Sequence, residues 1–200
     1  MENSVLLFNK WPTDGIKVRD MGLKRYIGIE PVYVPKTGAR FAGKRFYKSK
    51  ISIVERLINK LMVPGHKGKK HKISSGHCTG KSITNYNIVK DAFSIIEQKL
   101  KINPLEVFVK ALENAAPREE IVTIEYGGAR YPKAVEIAPQ RRIDLALRYI
   151  VQGSYNKSFN KKKNMANALA DEIINAYQLN QQSDAIAKKL ELERQADSSR

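Results

Sequence analysis

From Ser82 to the C-terminus, apolar residues recur at helical spacing and are cut by caps and prolines into short segments, which restricts this chain to a packed set of amphipathic helices. Ser82–Leu100 places Ile88, Val89, Ala92, Phe93, Ile96 and Leu100 on one face. Asn103 and Pro104 supply a cap and a first-turn proline for a second helix, with Leu105, Phe108, Leu112 and Ala116 inward and Pro117 as its stop. Pro139 opens a third, with Ile143, Ala146, Leu147 and Ile150 inward and Gly153 as the expected end. Met165, Leu169, Ile173, Ala176 and Tyr177 line a fourth, and Ser183 caps a fifth around Ile186, Ala187 and Leu190. Upstream, Ile53–Met62 is a short helix with Val54, Leu57, Ile58 and Leu61 together. The spacing predicts a mainly α fold, a bundle of about six helices.

One segment departs from this period. Glu120–Tyr126 and Tyr131–Ala138 are rich in β-branched residues and are joined by Gly127, Gly128, Ala129 and Arg130, a hairpin signature. A two-stranded ribbon is marginal alone in water, so it must pack on helices at its base or lean on a partner. It reads either as a plain connector or as a finger lying on nucleic acid, and Arg118, Arg141 and Arg142 beside it favour the finger. Residues 1–50 carry turn residues and little periodicity, which predicts an extended N-terminal arm ahead of a helical domain over 51–200, with a basic loop at 64–81 and the hairpin at 120–138. Weak periodicity in 1–50 and 64–81 also predicts rapid amide exchange there. Trp11, the single tryptophan, is expected to anchor the arm against the core.

Charge gives the arrangement a purpose. The 200 residues hold 36 Lys+Arg against 20 Asp+Glu, a formal net charge of +16. Residues 31–90 hold 14 basic side chains and one acid, Glu55; residues 141–163 hold seven and one acid, Asp144; the remainder is slightly acidic. Two basic blocks flanking a neutral core point to a surface for a polyanion, nucleic acid before an anionic membrane. In the arm, RFAGKRFYKSK interleaves Phe41, Phe46 and Tyr47 with cations, a mixture suited to RNA, where aromatic rings stack on bases and lysines meet phosphates. On charge, the expected contacts include Arg40, Lys67, Lys69, Lys70, Lys72, Lys81, Arg118, Lys161 and Lys162.

Other chemistries fare worse. Gly80-Lys81-Ser82 resembles the end of a phosphate-binding loop, but Ser75 stands where the first glycine belongs and no buried strand precedes it. His66, His71, His77 and Cys78 fall within thirteen residues, yet adjacent His77 and Cys78 suit one tetrahedral zinc poorly and no paired-cysteine spacing exists. Glu119-Glu120 and Asp171-Glu172 have no nucleophile to pair with and read as solvated faces. No catalytic residue, metal or cofactor is expected, nor a small-molecule substrate. One cysteine fits a reducing compartment, and neither a signal peptide nor a membrane span is legible, so a soluble cytoplasmic protein is expected.

Several long stretches resemble one known family: IVERLINKLM (53–62), NPLEVFVKALENAAPREE (103–120), GGARYPKAVEIAPQRRIDLALR (127–148), SFNKKKNMANALADEIINA (158–176) and AIAKKLELERQA (185–196). They are similar to small-subunit ribosomal protein seven, five in the eukaryotic numbering, in its archaeal–eukaryotic form. FNKWPTDG near the start also resembles that form's arm. The resemblance implies a helical bundle with a protruding hairpin, a primary binder of the 3′ major domain of small-subunit rRNA that nucleates assembly of the subunit head. It implies neighbouring head proteins, and a place near the mRNA exit path and exit-site tRNA. By position, Arg141, Arg142 and Arg148 fall where the family brings helix cations to rRNA, and Lys44, Arg45, Lys48, Lys50, Arg56 and Lys60 fall in the contacting arm and first helix. Gly127, Gly128 and Arg130 fall at the hairpin tip nearest tRNA and mRNA. The loop at 66–82 is longer than its bacterial counterpart, so contacts there rest on charge alone. Two other classes stay on the table: an NTP-dependent enzyme using Lys81 and a chromatin-like DNA binder.

Overall fold

The computed structural model describes residues 5–67, 70–71 and 76–200, with backbone alone for 66, 67, 70 and 71. Among the described residues six α-helices form the bundle: α1 (Ile53–Leu61), α2 (Ser82–Leu100), α3 (Pro104–Ala115), α4 (Pro139–Ser158), α5 (Met165–Tyr177) and α6 (Asp184–Asp197). Two antiparallel pairs interrupt them: β1 (His66–Lys67) with β2 (Lys70–His71), and β3 (Glu119–Tyr126) with β4 (Ala129–Glu136). The mainly α architecture with one long hairpin is the one the periodicity predicts.

α5 sits at the centre, packed on α2, α3 and α4. Its sequence explains why: Met165, Ala166, Ala168, Leu169, Ala170, Ile173 and Ala176 are all buried, so it is apolar nearly all round and its alanines allow close approach. Phe93 and Phe108, 5.8 Å apart between ring centroids, fill the space between α2 and α3. Each large side chain buried here contributes roughly 1.5–3 kcal/mol. Helix entries follow their caps. The Asn103 side chain accepts from the Leu105 N–H (3.0 Å) ahead of Pro104, and the Ser183 hydroxyl accepts from the Ile186 N–H (3.4 Å).

The expected end of α4 at Gly153 is wrong, because the helix runs on to Ser158. Gly153 serves close packing instead. A Cβ there would lie 2.8 Å from the Asp184 Cβ and 3.0 Å from a Glu172 carboxylate oxygen, so glycine lets the start of α6 and the flank of α5 meet α4.

Among its described residues the arm has no long helix or strand, and its first half lies on the bundle. Leu7, Phe8, Trp11, Leu23 and Ile27 are buried in the same core as the helices. Trp11 and Phe8 meet Phe93 edge-on at 5.9 and 6.2 Å, so the tryptophan is the anchor it was read to be. The arm's backbone is tied down as well: Asn103 donates to the Pro12 carbonyl (2.8 Å), and the Ile53 N–H donates to the Gly28 carbonyl (2.9 Å). Side-chain burial scattered over turns leaves no period to detect, and for this half it replaces the expectation of rapid exchange with one of protection.

Candidate nucleic-acid interface

α1 is short and strongly amphipathic, and its buried face packs against α2 and α4. That docking brings the first basic block onto the second. The only acid of each block is turned inward as a clamp. Glu55 accepts from the backbone N–H (2.9 Å) and the hydroxyl (2.7 Å) of Thr37, fixing the arm to α1. Asp144 accepts from Lys48 through one oxygen and from Arg56 (2.9 Å) through the other, fixing the arm's end and α1 to α4. With both acids so engaged, the cations that remain on the seam have no acid of their own block.

Lys60 shows the consequence. It is half-buried on α1, and its ammonium is held below the ordinary lysine range, first by burial, then by Arg148 on α4; Asp144 offsets part of this, while Lys48 adds to it. Lys48, Lys60 and Arg148, distant in sequence, therefore feel one another across the α1–α4 seam. Beside them lies the arm's exposed basic segment, with Arg40, Lys44, Arg45 and Lys50 in solvent. Lys44 and Lys50 stand over the Tyr47 ring at 5.3 and 5.2 Å, and Arg45 over Phe46 at 5.5 Å. Val32, Val34, Lys36, Arg40, Phe41, Tyr47 and Lys50 line a cleft of about 440 Å³, whose mixture of aromatic rings and cations suits single-stranded nucleic acid.

Other expected cations are placed differently. The Arg56 guanidinium is 5% exposed and donates to Asp144 and to the Tyr26 carbonyl (2.9 Å), so it holds the arm and α4 together. Arg142 is 12% exposed and donates to Asp20 (2.9 Å) and to the Pro117 carbonyl (3.1 Å). Arg141 is exposed but already bidentate on Glu120, with both contacts 2.7 Å. Hydrogen bonding to Glu120 raises its pKa against the opposing effect of burial. These arginines brace the interface. Arg118 is exposed at the start of β3. Lys161 and Lys162 are exposed beyond the far end of the 20-residue α4, roughly 30 Å from Arg141 by helical rise, so the second block is split along a helix.

The hairpin closes more tightly than expected. Gly127 and Gly128 alone form its turn, at φ +58° and +81°, so Ala129 and Arg130 belong to β4, and Arg130 faces Glu125 across the ribbon (3.6 Å). The base rests on α6, where Ile137 is buried and Arg118 N–H meets Glu193, while the outer half is exposed on both strands.

Gly80 donates to the Met62 carbonyl (3.1 Å), and Asn85 donates to the carbonyls of Cys78 and Lys81 (both 2.7 Å), so this turn is a splice between α1 and α2 with no preceding parallel strand. Lys81 is exposed at its end. Burial pushes the Cys78 thiol pKa up, and nearby Lys81 only partly opposes this. Among the described residues there is no group of three or more His, Cys, Asp or Glu side chains that could hold a metal ion, and no helix long and apolar enough to cross a membrane. Lys69 and Lys72 lie outside the described residues, as do the side chains of His66, Lys67, Lys70 and His71; the backbones of these last four form the small β1–β2 pair within a stretch expected to be loop.

Reading Asp171-Glu172 as a solvated face needs correction. Glu172 is fully buried, accepting from Lys157 (2.5 Å), the Ser183 hydroxyl (2.8 Å) and the Ala185 N–H (3.1 Å), while Asp171 pairs with Lys99 (2.6 Å) and Lys163 (2.5 Å). Neither the inward turn of Glu55 and Asp144 nor the burial of Glu172 has a local signal, beyond the fact that Glu55 and Asp144 are the lone acids of their blocks.

Braced helices, a cation-rich seam and a protruding ribbon define a class: a small helical scaffold directed at a polyanion. Within it, the chain belongs to the ribosomal protein S7p/S5e family, whose model matches residues 23–200. It is 53% identical over 194 residues to a protein of Nanoarchaeum equitans described as small ribosomal subunit protein uS7, covering 97% of this chain and 98% of that one. Proteins of the same description from Archaeoglobus fulgidus (46% over 199 residues; 100% and 97% covered) and Methanothermobacter thermautotrophicus (46% over 194; 96% and 98%) are also similar.

Proposed function

We propose that this chain is a structural, non-enzymatic constituent of the small ribosomal subunit that binds the 3′ major domain of its rRNA and nucleates assembly of the subunit head. The observation that carries the reading is the α1–α4 seam, where Lys48 and Lys60 of the first basic block meet Arg148 of the second and both resident acids are engaged internally. A cation surplus on a braced scaffold favours phosphate neutralisation, with specificity from RNA shape more than base readout. Lys60, Arg148, Arg40, Lys44, Arg45 and Lys50 are assigned direct contacts. Lys81, Lys161 and Lys162 extend the surface, as do Lys67, Lys69, Lys70 and Lys72 of the loop. Arg118 belongs to a separate cleft. Lys48, Arg56, Arg141 and Arg142 position the elements. The ribbon tip at Gly127, Gly128 and Arg130 is assigned to the mRNA exit path and exit-site tRNA, neighbouring head proteins complete the surroundings, and the site of action is the cytoplasm.

Lys60→Ala with Arg148→Ala tests the seam by filter binding to a 3′-domain rRNA transcript across a salt series. The expected result is weaker binding and a log–log salt slope shallower by about two units, roughly one per lost phosphate contact. An unchanged slope removes the seam from the interface. Competition with duplex DNA separates the reading from a general DNA binder, and co-sedimentation of the tagged protein with small subunits tests its place.

A further inference from the structure

We infer that the cleft between the arm, α3, the start of α4 and α6 is a second RNA-phosphate site, distinct from the α1–α4 seam; this rests on the RNA-binding reading and extends it to a face built largely from the near-neutral stretches of the sequence. The cleft, of about 640 Å³, presents Arg19, Lys110, Arg118, Arg142 and Lys189 against two acids, Asp20 and Glu113. Both acids are engaged within the fold. Glu113 accepts from the backbone N–H groups of Arg19 (2.6 Å) and Asp20 (3.0 Å). Asp20 accepts from Arg142 (2.9 Å) and from the Gly22 N–H (2.8 Å).

The cations divide into two sets. Arg142 and Lys189 are structural: Lys189 donates to the Asn114 carbonyl (2.8 Å) at the end of α3. Lys110 stands over the Tyr177 ring at 4.5 Å. Arg19 and Arg118 differ, because the fold uses their backbones: Arg19 donates its N–H to Glu113, and Arg118 donates its N–H to Glu193 (3.2 Å) and accepts from the Ile137 N–H (2.9 Å). Both residues line the cleft and are exposed. Two planar forks beside a crowded set of cations suit a tetrahedral oxyanion, which accepts bidentate hydrogen bonds and relieves like-charge repulsion. That repulsion is felt at Lys189, whose ammonium is held below the usual lysine range by burial first and then, against the opposing pull of Glu193, by Arg118 and Arg142.

Continuity with the seam makes RNA the occupant. Arg142 and Arg148 lie six residues apart on α4, roughly 9 Å along its axis, so one folded RNA can reach both places.

The test is Arg19→Gln with Arg118→Gln in the full chain. Because the hydrogen bonds that tie both residues into the fold are made by their backbone atoms, the urea midpoint is expected to stay nearly unchanged. Binding to the 3′-domain transcript is expected to weaken about tenfold, with the salt slope shallower by about one to two units. The Arg19→Lys, Arg118→Lys pair restores most of the slope but only part of the affinity, since lysine keeps the charge without the fork. Wild-type affinity and slope in the glutamine pair overturn this site while leaving the seam standing. Absence of binding by the unsubstituted chain overturns both. A midpoint shift in the glutamine pair that the lysine pair shares assigns these arginines to the fold and also overturns the site.

Discussion

Glu172 beneath Gly153 and the α1–α4 seam both draw charge into the molecule, and they handle it in opposite ways. Under Gly153, Glu172 is fully buried and balanced: Lys157, Ser183 and the start of α6 fill its two oxygens, and Lys157 also donates to the Gln182 carbonyl (2.8 Å). At the α1–α4 seam, one carboxylate, Asp144, serves Lys48 and Arg56 while Lys60 and Arg148 crowd the same neighbourhood. The first site closes on itself and locks α4, α5 and α6 together. The second is left with excess positive charge, half-exposed. A buried ion pair with all its hydrogen bonds made is architecture, whereas a cluster of one sign marks a place where the fold accepts a cost that a partner removes.

The strongest way to break this contrast is Glu172→Ala. It leaves Lys157 and the Ser183 cap without their acceptor, and a loss of about 3–5 kcal/mol in urea unfolding is expected, with the rRNA salt slope of the folded fraction unchanged. A loss below about 1 kcal/mol makes the node ornamental. Lys60→Met sharpens the other side. Removing a half-buried cation held among like charges is expected to leave the free protein as stable as before, or up to about 1 kcal/mol more stable, while weakening rRNA binding several-fold and reducing the slope by about one unit. Clear destabilisation in the free protein would make Lys60 a structural residue.

The smallest effect is on acid stability. Burial pushes the Asp20 and Asp171 carboxyls up, but the hydrogen bonds and charges of Arg142 with the Gly22 N–H for Asp20, and of Lys163 and Lys99 for Asp171, outweigh it and leave both below the usual aspartate value. A depressed folded-state pKa contributes stability that is full above the unfolded pKa, near 4, and fades as pH falls through the folded one. Both pairs are partly exposed, so less than about 1 kcal/mol each is expected. Urea midpoints between pH 5 and 2 should therefore fall less steeply in Asp20→Asn and Asp171→Asn than in the parent.

Much of this was legible in the chain. Helix faces, the Asn103 and Ser183 caps, the Pro104 and Pro139 starts and the Gly127-Gly128 turn all announce themselves through contacts within a few residues. The two basic blocks are equally visible, as is the absence of acids within them, apart from Glu55 and Asp144. Gly153 misled because a glycine near a helix's apparent end is ordinarily a stop, and nothing local reveals that another helix presses on it. The buried half of the arm escaped because irregular backbone has no period to read.

What the sequence determined by itself is therefore the set of elements and the sign and location of the charge. Only the tertiary structure decided which charges face one another: Arg56 meets Asp144 from 88 positions away, and Arg142 meets Asp20 from 122. The reason is physical. Helix propensity and amphipathicity are short-range and written residue by residue, whereas the cost of burying a charge depends on what the chain brings beside it, and that is settled when the helices pack.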